Sequence, residues 1–468
     1  MLRYGMLLST ILLMLIVYFT VFAQNQSEGR DLYMKYCATC HGKDMDGGMA
    51  KSLTDGIWQF GSEDSDIFNH IKNGIPKRGM PAFEASISDS HIDKVIAFVR
   101  EEENIRLQEK TTDLQIDKDR KYNIYVQTWV EDLDIPWAID FIDENTALIT
   151  ERPGNLRIVK KGVLHKEPVA GIPEVLHQGQ GGLLDVAVDP DFSKTGWIYL
   201  SYSHFLEDED GPAMTRIVRG KIQNHTWVDQ EVIYESAHEH YRDTRHHYGS
   251  RIVFDKKGFL YFSIGDRGAR EHAQNITRPN GKVHRIHKDG RIPEDNPFVD
   301  QKDAIPSIFS YGNRNPQGLA VHPVTDQVWE TEHGPMGGDE VNLIRSGKNY
   351  GWPEVTYGLN YDGTVISEFT EKPGMEPPVL QWTPSIAACG LDFYQGELFN
   401  KWQNYLIAGA LKYEEVRILN IEDNRVLTDE VILKDYGRVR DVTCGPDGAI
   451  YVVVNEPDKI LRLIPMEE

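Results

Sequence analysis

The chain has 468 residues, 40% of them hydrophobic and 26% charged, as is ordinary for a globular protein that buries a core. This length predicts two or three domains. The formal net charge of −22 argues against nucleic acid as a partner, because phosphates would be repelled. The 40 glycines, 21 tyrosines and 9 tryptophans favour a fold rich in strands and turns.

The N-terminal segment, residues 1–23, is apolar from about Met6 to Ala23, and one cation, Arg3, precedes the apolar run. We interpret it as a secretory signal peptide with small residues near the cleavage position. The run is long for a signal peptide, so an uncleaved membrane anchor is the alternative. Both interpretations predict a periplasmic or otherwise exported protein, which contacts the membrane only if the segment is retained.

Residues 24–104 predict a small all-α domain. The segment that begins at Ser88 opens with capping residues and carries apolar side chains at helical spacing, for example Ile92, Val95 and Val99. Residues 105–122 are charged and poor in apolar side chains, and we predict that they form a linker.

The small domain contains the sequence C-x-x-C-H at Cys37, Cys40 and His41. This is the attachment motif for haem c, in which both thiols bond to the haem vinyl groups and the histidine binds the iron. A redox dithiol or half of a zinc site would use the same residues. No second Cys/His pair lies nearby in sequence, and no βαβ pattern surrounds the motif, so haem c is favoured.

The sixth iron ligand is predicted to be Met80, in the sequence Gly79-Met80-Pro81. This stretch resembles the G-M-P loop of small class I cytochromes c. The alternatives in the sequence are Met45, Met49 and His70. Ligation by His and Met raises the iron potential, which suits electron transfer.

From residue 123 to residue 466 the pattern changes to short strands with period-two alternation. A unit made of an apolar strand, an acidic or Gly/Pro turn and a second apolar-aromatic strand recurs six times. Such repetition predicts a six-bladed β-propeller. The six copies are 135–150, 183–203, 251–268, 317–334, 389–411 and 439–456.

The stretch from Ser310 to Pro353 is dense in Gly, Pro, amide and charged residues, more than a connecting loop requires. It contributes to a series of motifs that resembles the PQQ-dependent aldose sugar dehydrogenases, a family of six-bladed propellers. The resemblance extends from near Tyr125 to Ile464. The motifs are His177–Asp185, His247–Arg251, Tyr311–Gly318, Glu332–Glu340, Gly347–Pro353, Gly409–Lys412 and Arg438–Val442.

The resemblance implies roles for individual residues. His247 would be the general base that takes the proton from the anomeric hydroxyl, although His246 is a rival on sequence alone. Arg314 would polarise the quinone oxygen of PQQ. Asn315 would hold the cofactor edge, and Gln180 would position cofactor or substrate.

The resemblance also implies that Lys412, Arg438 and Arg440 bind the three carboxylates of PQQ. Arginine forks pair with carboxylates in two-pronged geometry, so a cationic cluster in an acidic protein suits this cofactor. Taken singly, each of these residues is as well explained by a solvated surface charge.

Calcium is a further cofactor that the resemblance implies. One ion would bind the backbone carbonyls of Gly334 and Pro335 against PQQ, and a second would bind Glu340 and the carbonyl of Tyr350. Asp339 could contribute to the second site. Ordinary turn chemistry is the alternative for both carboxylates.

The predicted protein is thus an exported two-domain dehydrogenase. It oxidises an aldose sugar to its lactone with PQQ, and haem c passes the electrons to a soluble or membrane acceptor. The alternatives are a calcium-dependent propeller lactonase and a propeller that docks another protein while the haem carries electrons. Cys389 and Cys444 either form a disulfide or are separate thiols on different strands.

Overall fold

The computed structural model describes residues 27–466, except 46, 48–49, 51, 55–57, 59–60, 62, 77–78, 113–121 and 207–209. The predicted export segment and Met49 lie outside the described residues. Among the described helices, none combines the length and the apolar character that a membrane crossing requires. The chain divides into two compact units, Met1–Asp119 and Arg120–Glu468.

The first unit is helical, as predicted. Its core consists of apolar side chains on the inner faces of the helices, among them Tyr33, Ile71, Ile92 and Val95. The helices are α1 (27–36), α2 (Ala38–His41), α3 (Asp64–Asn73) and α4 (Asp89–Thr112).

Helix α4 is longer than the sequence analysis predicts, because residues 105–112 are helical rather than linker. The segment from Glu101 to Thr112 contains no Gly or Pro and is rich in Glu, Arg, Gln and Lys, which favour helix. A low apolar content therefore does not end the helix. Residues 113–121, the remainder of the predicted linker apart from Tyr122, lie outside the described part of the chain.

The second unit is a propeller of six antiparallel sheets, each with four strands. The first strands of successive sheets contact one another in a ring and are therefore innermost. One short helix, α5 (Phe192–Thr195), follows the first strand of the second sheet. The strands are β1 (Ile124–Val130), β2 (Pro136–Asp143), β3 (Thr146–Glu151), β4 (Asn155–Lys160), β5 (Val163–Leu164), β6 (Leu183–Val188), β7 (Ile198–Phe205), β8 (Ala213–Gln223), β9 (Thr226–Tyr234), β10 (Ile252–Phe254), β11 (Phe259–Ile264), β12 (Lys282–His287), β13 (Ile308–Tyr311), β14 (Pro316–Val321), β15 (Val328–Glu332), β16 (Asp339–Ile344), β17 (Leu380–Trp382), β18 (Ala388–Phe393), β19 (Leu406–Ala410), β20 (Glu415–Glu422), β21 (Arg425–Lys434), β22 (Arg438–Cys444), β23 (Ile450–Asn455) and β24 (Lys459–Pro465).

The six repeats in the sequence correspond to the first two strands of the six blades, so the predicted blade number is confirmed. These strands are nearly continuous apolar runs because they are buried on both faces by the neighbouring blades. The outer strands are more exposed, as in β21, and their sequence pattern is correspondingly weaker.

The ring is closed by pairing between the two ends of the propeller sequence. Strand β1 is the outermost strand of the sheet that contains β22, β23 and β24. It pairs antiparallel with β24, and Tyr125 lies opposite Ile464. Because the first strand completes the last blade, every blade has four strands.

Arg251, directly before β10, joins four blades at the centre of the ring. Its Nη1 contacts the carboxylates of Asp185 at 3.0 Å and Asp441 at 2.9 Å. Its other nitrogens donate to the carbonyls of Gln317 at 2.8 Å and Arg440 at 2.9 Å. Four of the motifs seen in the sequence therefore contribute a residue to a buried structural cluster.

Candidate active site

His247 lies in a loop before β10 whose backbone is unusual for a non-glycine residue. The φ angle is +56° at His247 and +91° at Ser250. Such conformations cost of order 1–3 kcal/mol and persist only when the surroundings impose them. Here the backbone N–H of His247 donates to Gln180 Oε1 at 2.8 Å, and Arg267 donates to the carbonyl of His246.

The side chain of His247 is oriented by Asp266, which lies just after β11. The distance between His247 Nδ1 and Asp266 Oδ1 is 2.7 Å. The same carboxylate accepts hydrogen bonds from the backbone N–H of Gly268 at 2.8 Å and from Trp352 Nε1 at 2.8 Å. Three groups therefore converge on one carboxylate. Because Asp266 is ionised and can only accept, the proton of neutral His247 lies on Nδ1 and Nε2 has the free lone pair.

The pKa values of His247 and Asp266 are both strongly shifted. Burial, the largest cause, and the positive charge of Arg314 lower the pKa of His247 to about 4, although the hydrogen-bonded Asp266 acts in the opposite direction. Burial alone would raise the pKa of Asp266, but the facing His247 and Arg314 outweigh this and leave it below its usual value. At pH 7 the pair is thus a neutral imidazole held by a carboxylate, which is the form a general base requires.

Within the described residues, Asp266 contacts the imidazole of His247 and not that of its neighbour His246. The geometry therefore favours His247 over its sequence rival. Asp266 lies outside the motifs recognised in the sequence, and Trp352 lies within the motif Gly347–Pro353 without a predicted role. The available signal was the sequence Gly265-Asp266-Arg267 directly after an apolar strand, where polar side chains reach the end of a blade.

Arg314 is nearly buried, with 6% of its surface exposed. Its Nη1 donates to the carbonyls of His333 at 2.9 Å and Gly334 at 2.8 Å, and its Nη2 donates to the hydroxyl of Tyr361 at 3.4 Å. The guanidinium also lies 5.5 Å from the centre of the Trp352 ring. These contacts fix the guanidinium in the region where its charge acts on His247.

Buried carboxyl groups support the backbone around Arg314. Asn313 Nδ2 donates to Glu330 at 3.1 Å and to Glu332 at 2.9 Å, and the backbone N–H of Arg314 also donates to Glu332. Burial raises the pKa of Glu330 well above its usual range, and the adjacent Glu332 raises it further. Some of the many polar side chains between Ser310 and Pro353 therefore stabilise the loop and do not bind a ligand.

Gln180 and Asn315 lie beside the His247 loop. Gln180 Oε1 receives the N–H of His247, and Asn315 Oδ1 receives the N–H of Gly249 at 3.2 Å. In this structure the amide oxygens of both side chains stabilise the loop. Their predicted contacts to a cofactor or substrate would come from the remaining polar atoms of these side chains.

Three arginines form an unpaired cationic group. Among the described residues, no carboxylate forms an ion pair with Arg314, Arg438 or Arg440. Burial lowers the pKa of Arg440, and the positive charges of Arg438 and Arg251 lower it further. Like charges near one another that form no ion pair with a carboxylate indicate a site for an anion.

The unpaired arginines and His247 converge on one further residue, His333. Burial lowers the pKa of His333 well below its usual value, and the positive charges of Arg440, Arg314 and Arg438 lower it further. The His247 loop, the loop before β14 and strand β22 therefore each place a titratable or charged side chain near His333. Lys412 follows β19, where its backbone N–H donates to the carbonyl of Ile386 at 3.0 Å.

The residues predicted for calcium divide into two groups. The carbonyl of Gly334 faces Arg314, and its N–H donates to Asp339 Oδ1 at 2.9 Å. Asp339 also accepts from Ser385 at 2.7 Å and from the N–H of Ala388 at 2.9 Å, so it anchors this turn to β18. Pro335 follows in the same turn and is buried.

Glu340 and Tyr350 line one cavity of about 400 Å³. The carboxylate of Glu340 accepts from Asn342 Nδ2 at 3.1 Å. Among the described residues, no cluster of three or more His, Cys, Asp or Glu side chains is arranged to hold a metal. A cation in this cavity would therefore depend on backbone oxygens and water as well as on Glu340.

In the helical unit, the haem motif lies at the start of α2. The N–H of His41 donates to the carbonyl of Cys37 at 3.0 Å, which folds C-x-x-C-H into one turn. Cys37 and Met80 both pack against the same apolar core, and Met45 is buried within that core with 2% exposure. Burial raises the pKa of the Cys37 thiol to about 12. The Cys37 thiol and the Met80 thioether thus lie beside the same apolar cluster, which fits one group that attaches a haem and one that binds its iron.

Met80 lies in a turn in which it pairs with Ile75, with N–O distances of 2.9 and 3.2 Å. The remaining cysteines, Cys389 and Cys444, are free thiols, so of the two alternatives the separate thiols are found. Cys389 Sγ lies 3.6 Å from Arg440 Nη1.

Comparison with known proteins identifies both parts of the chain. Residues 133–462 match the family model described as Glucose / Sorbosone dehydrogenase, and residues 24–99 match that described as Cytochrome C oxidase, cbb3-type, subunit III. Aldose sugar dehydrogenase YliI of Escherichia coli strain K12 is 40% identical over 349 residues, which cover 73% of this chain and 93% of that protein.

Two further similarities extend over the propeller. Quinoprotein glucose dehydrogenase B of Acinetobacter calcoaceticus is 26% identical over 426 residues, covering 74% of this chain and 88% of that protein. The crystal structure of the soluble aldose sugar dehydrogenase of Escherichia coli in its apo form superimposes with a TM-score of 0.70 at 38% identity, covering 73% of this chain and 100% of that one. The chain therefore belongs to the glucose/sorbosone dehydrogenase family, as an oxidoreductase propeller that follows a cytochrome c domain.

Proposed function

We propose that the propeller oxidises an aldose sugar at its anomeric carbon to the lactone, with PQQ as cofactor. The observation that carries this proposal is a neutral imidazole oriented by Asp266, with nearby arginines that form no ion pair with a carboxylate among the described residues. A hydrolase does not need three uncompensated arginines beside its base. A docking surface does not need a buried His–Asp pair at all.

The residues present fit the chemistry of PQQ, which is a small anion with three carboxylates. Arg438, Arg440 and Lys412 would bind those carboxylates, and Asn315 and Gln180 would contact the cofactor from the side of the His247 loop. When bound, PQQ supplies the hydride acceptor of the reaction.

The protein side chains have separate tasks in the oxidation. His247 Nε2 receives the proton of the anomeric hydroxyl, while Asp266 and Trp352 keep the imidazole in place. The positive charge of Arg314 stabilises negative charge that develops nearby. The low polarity that burial produces strengthens both interactions.

The helical domain is proposed to carry covalent haem c, through Cys37 and Cys40, with His41 and Met80 as iron ligands. Haem accepts electrons singly, and we propose that it passes them from the propeller to an external carrier. Export from the cytoplasm, which attachment of haem c and a PQQ enzyme would require, is part of this proposal.

Calcium is proposed at two places. One ion would bind near the carbonyls of Gly334 and Pro335 and increase the electrophilic character of the site. Because the Gly334 carbonyl now accepts from Arg314, this ion would compete with the guanidinium for that oxygen. The second ion would lie in the cavity lined by Glu340 and Tyr350.

The test is a visible spectrum of the purified haem-loaded protein, with PQQ and calcium, before and after addition of an aldose. We expect the haem bands to sharpen as the iron is reduced, and to require PQQ, calcium and sugar together. A matched variant, His247→Gln, should leave the oxidised haem spectrum unchanged and abolish the reduction.

Other results would favour other functions. If an added dye is reduced while the haem stays oxidised, the propeller is a dehydrogenase but it does not pass electrons to its own haem. Hydrolysis of lactones without PQQ would support the calcium-dependent hydrolase. If the protein neither binds PQQ nor reduces a dye with any aldose, the result favours a propeller that docks another protein.

A further inference from the structure

A short turn, residues 359–365, lies between β16 and β17 beside the candidate active site; we name it the Tyr361 turn. Leu359 pairs with Val365 across it. The N–H of Asn360 donates to the carbonyl of Thr364 at 2.9 Å, and Asn360 Nδ2 donates to Thr364 Oγ1 at 3.0 Å. The tip therefore has defined internal hydrogen bonds.

The turn is attached to the wall of the site. Leu359 forms two backbone hydrogen bonds with Met336, at 3.0 and 3.1 Å, directly after the Gly334–Pro335 turn. On the other side, Asn360 Oδ1 accepts from Arg270 Nη2 at 2.7 Å. The Arg270 guanidinium lies 5.6 Å from the centre of the Trp352 ring. Trp352 in turn donates a hydrogen bond to Asp266, the carboxylate that orients His247. The position of the turn is thus fixed relative to the base.

Tyr361 projects from this turn at the boundary between the site and solvent. Its hydroxyl accepts a hydrogen bond from Arg314 at 3.4 Å, yet 44% of its surface is exposed, whereas Arg314 is 6% exposed. One end of the side chain therefore reaches a buried catalytic candidate while the ring remains accessible from outside.

An aldose ring has the matching chemistry. Its axial C–H groups form an apolar face that packs on an aromatic ring, and its hydroxyls exchange hydrogen bonds with polar groups at the edge. Asp266, which holds His247, and Arg314 both lie against Trp352, so a sugar whose anomeric hydroxyl reaches His247 places its ring within reach of Tyr361.

We infer that Tyr361 contacts the sugar and determines its affinity, with its ring packed on the apolar face of the aldose. This inference rests on the proposed function and adds to it the residue that recognises the substrate ring. The chain offers a control in Phe369, another exposed aromatic of the same β16–β17 connection, with 53% exposure. Phe369 lies under the ammonium group of Lys372, at 4.8 Å.

The experiment compares the wild type, Tyr361→Ala, Tyr361→Phe and Phe369→Ala, each with haem, PQQ and calcium, over several aldoses. For Tyr361→Ala we expect KM to rise roughly tenfold with kcat within about threefold, because ring packing contributes to binding. Tyr361→Phe keeps the ring and should stay within about threefold in KM. Phe369→Ala should match the wild type. Thermal melting and titration with PQQ check that all four proteins are folded and bind cofactor equally.

The outcomes separate this inference from the proposed function. An unchanged KM in Tyr361→Ala, with an active wild type, overturns the inference and leaves the function standing. Equal losses of kcat in Tyr361→Ala and Tyr361→Phe would show that the Tyr361 hydroxyl acts through Arg314. This result would also overturn the inference, because the ring would then not contribute to sugar binding. A wild type that binds PQQ but oxidises none of the sugars overturns the proposed function itself, and the inference with it.

Discussion

Replacement of Asp266 by Asn tests the central element of the site, the orientation of His247. Three donors meet at this carboxylate: His247 Nδ1, the N–H of Gly268 and Trp352 Nε1. An amide has one acceptor and one donor end, so no orientation of the substituted side chain can accept from all three. If the amide oxygen faces Trp352, the NH2 group faces His247 and forces the proton of the imidazole onto Nε2, which removes the base.

The expected magnitude has two parts. Loss of a charge-assisted hydrogen bond costs about 1.5–3 kcal/mol, or roughly 10- to 150-fold in rate. Trapping the wrong imidazole tautomer raises the loss to about 10⁴-fold in kcat, as in other His–Asp enzymes. We therefore expect Asp266→Asn to lower kcat by about 10³- to 10⁴-fold, with KM for the sugar and affinity for PQQ little changed.

The assay is steady-state dye reduction by the reconstituted protein between pH 3.5 and 8. In the wild type, kcat/KM should increase as pH rises through about 4, because His247 must lose its proton to accept another. Asp266 raises the pKa of His247, so the residual activity of the variant should have its acidic limb at lower pH. Asp229→Asn, at a surface position, is the control. A kcat within about threefold of the wild type would refute the assignment of the tautomer by Asp266.

Three further results are expected. Arg440→Gln should weaken PQQ binding by about 10- to 100-fold in a fluorescence titration, because one charge-assisted contact to a carboxylate is lost. Calcium at 100 times its Kd should stabilise the wild type by about 2.7 kcal/mol in thermal melting, and Glu340→Gln should lose part of this shift because one anionic ligand is removed. Met80→Ala should lower the haem reduction potential, since a thioether ligand raises it.

Each of these results has its own control. Arg345→Gln changes an exposed arginine that pairs with Glu376 and should leave PQQ affinity unchanged. If calcium shifts the melting of Glu340→Gln as much as that of the wild type, the second ion does not use this carboxylate. Met45→Leu should preserve the potential; if it lowers the potential and Met80→Ala does not, Met45 is the iron ligand.

The sequence allowed the features that depend on local spacing to be predicted. C-x-x-C-H is contained in one turn, so Cys37, Cys40 and His41 are recognisable without any tertiary contact. The inner strands of the six blades are buried on both faces, and their apolar runs repeat clearly enough to count the blades. Resemblance to a known family then supplied the proposed roles of His247 and Arg314, because both lie within short motifs.

Weakly patterned segments were harder to predict. The many charges of residues 105–112 favour a linker and a charged helix equally, and the structure has these residues in α4. The outer strands, such as β21, have one exposed face and lack the strong repeat of the inner ones. Closure of the ring by β1 depends on pairing between residues more than 300 positions apart, which no local pattern encodes.

Only the tertiary structure decided how the site is assembled. Asp266, Trp352 and His247 come from three separate stretches, and their convergence on one carboxylate is a consequence of blade packing. The motif residues Asp185, Arg251 and Asp441 likewise proved to be a buried cluster at the centre of the ring. A sequence shows which residues can carry charge or a proton. Which of them meet depends on the ring of blades, because a hydrogen bond or an ion pair acts over only a few ångströms.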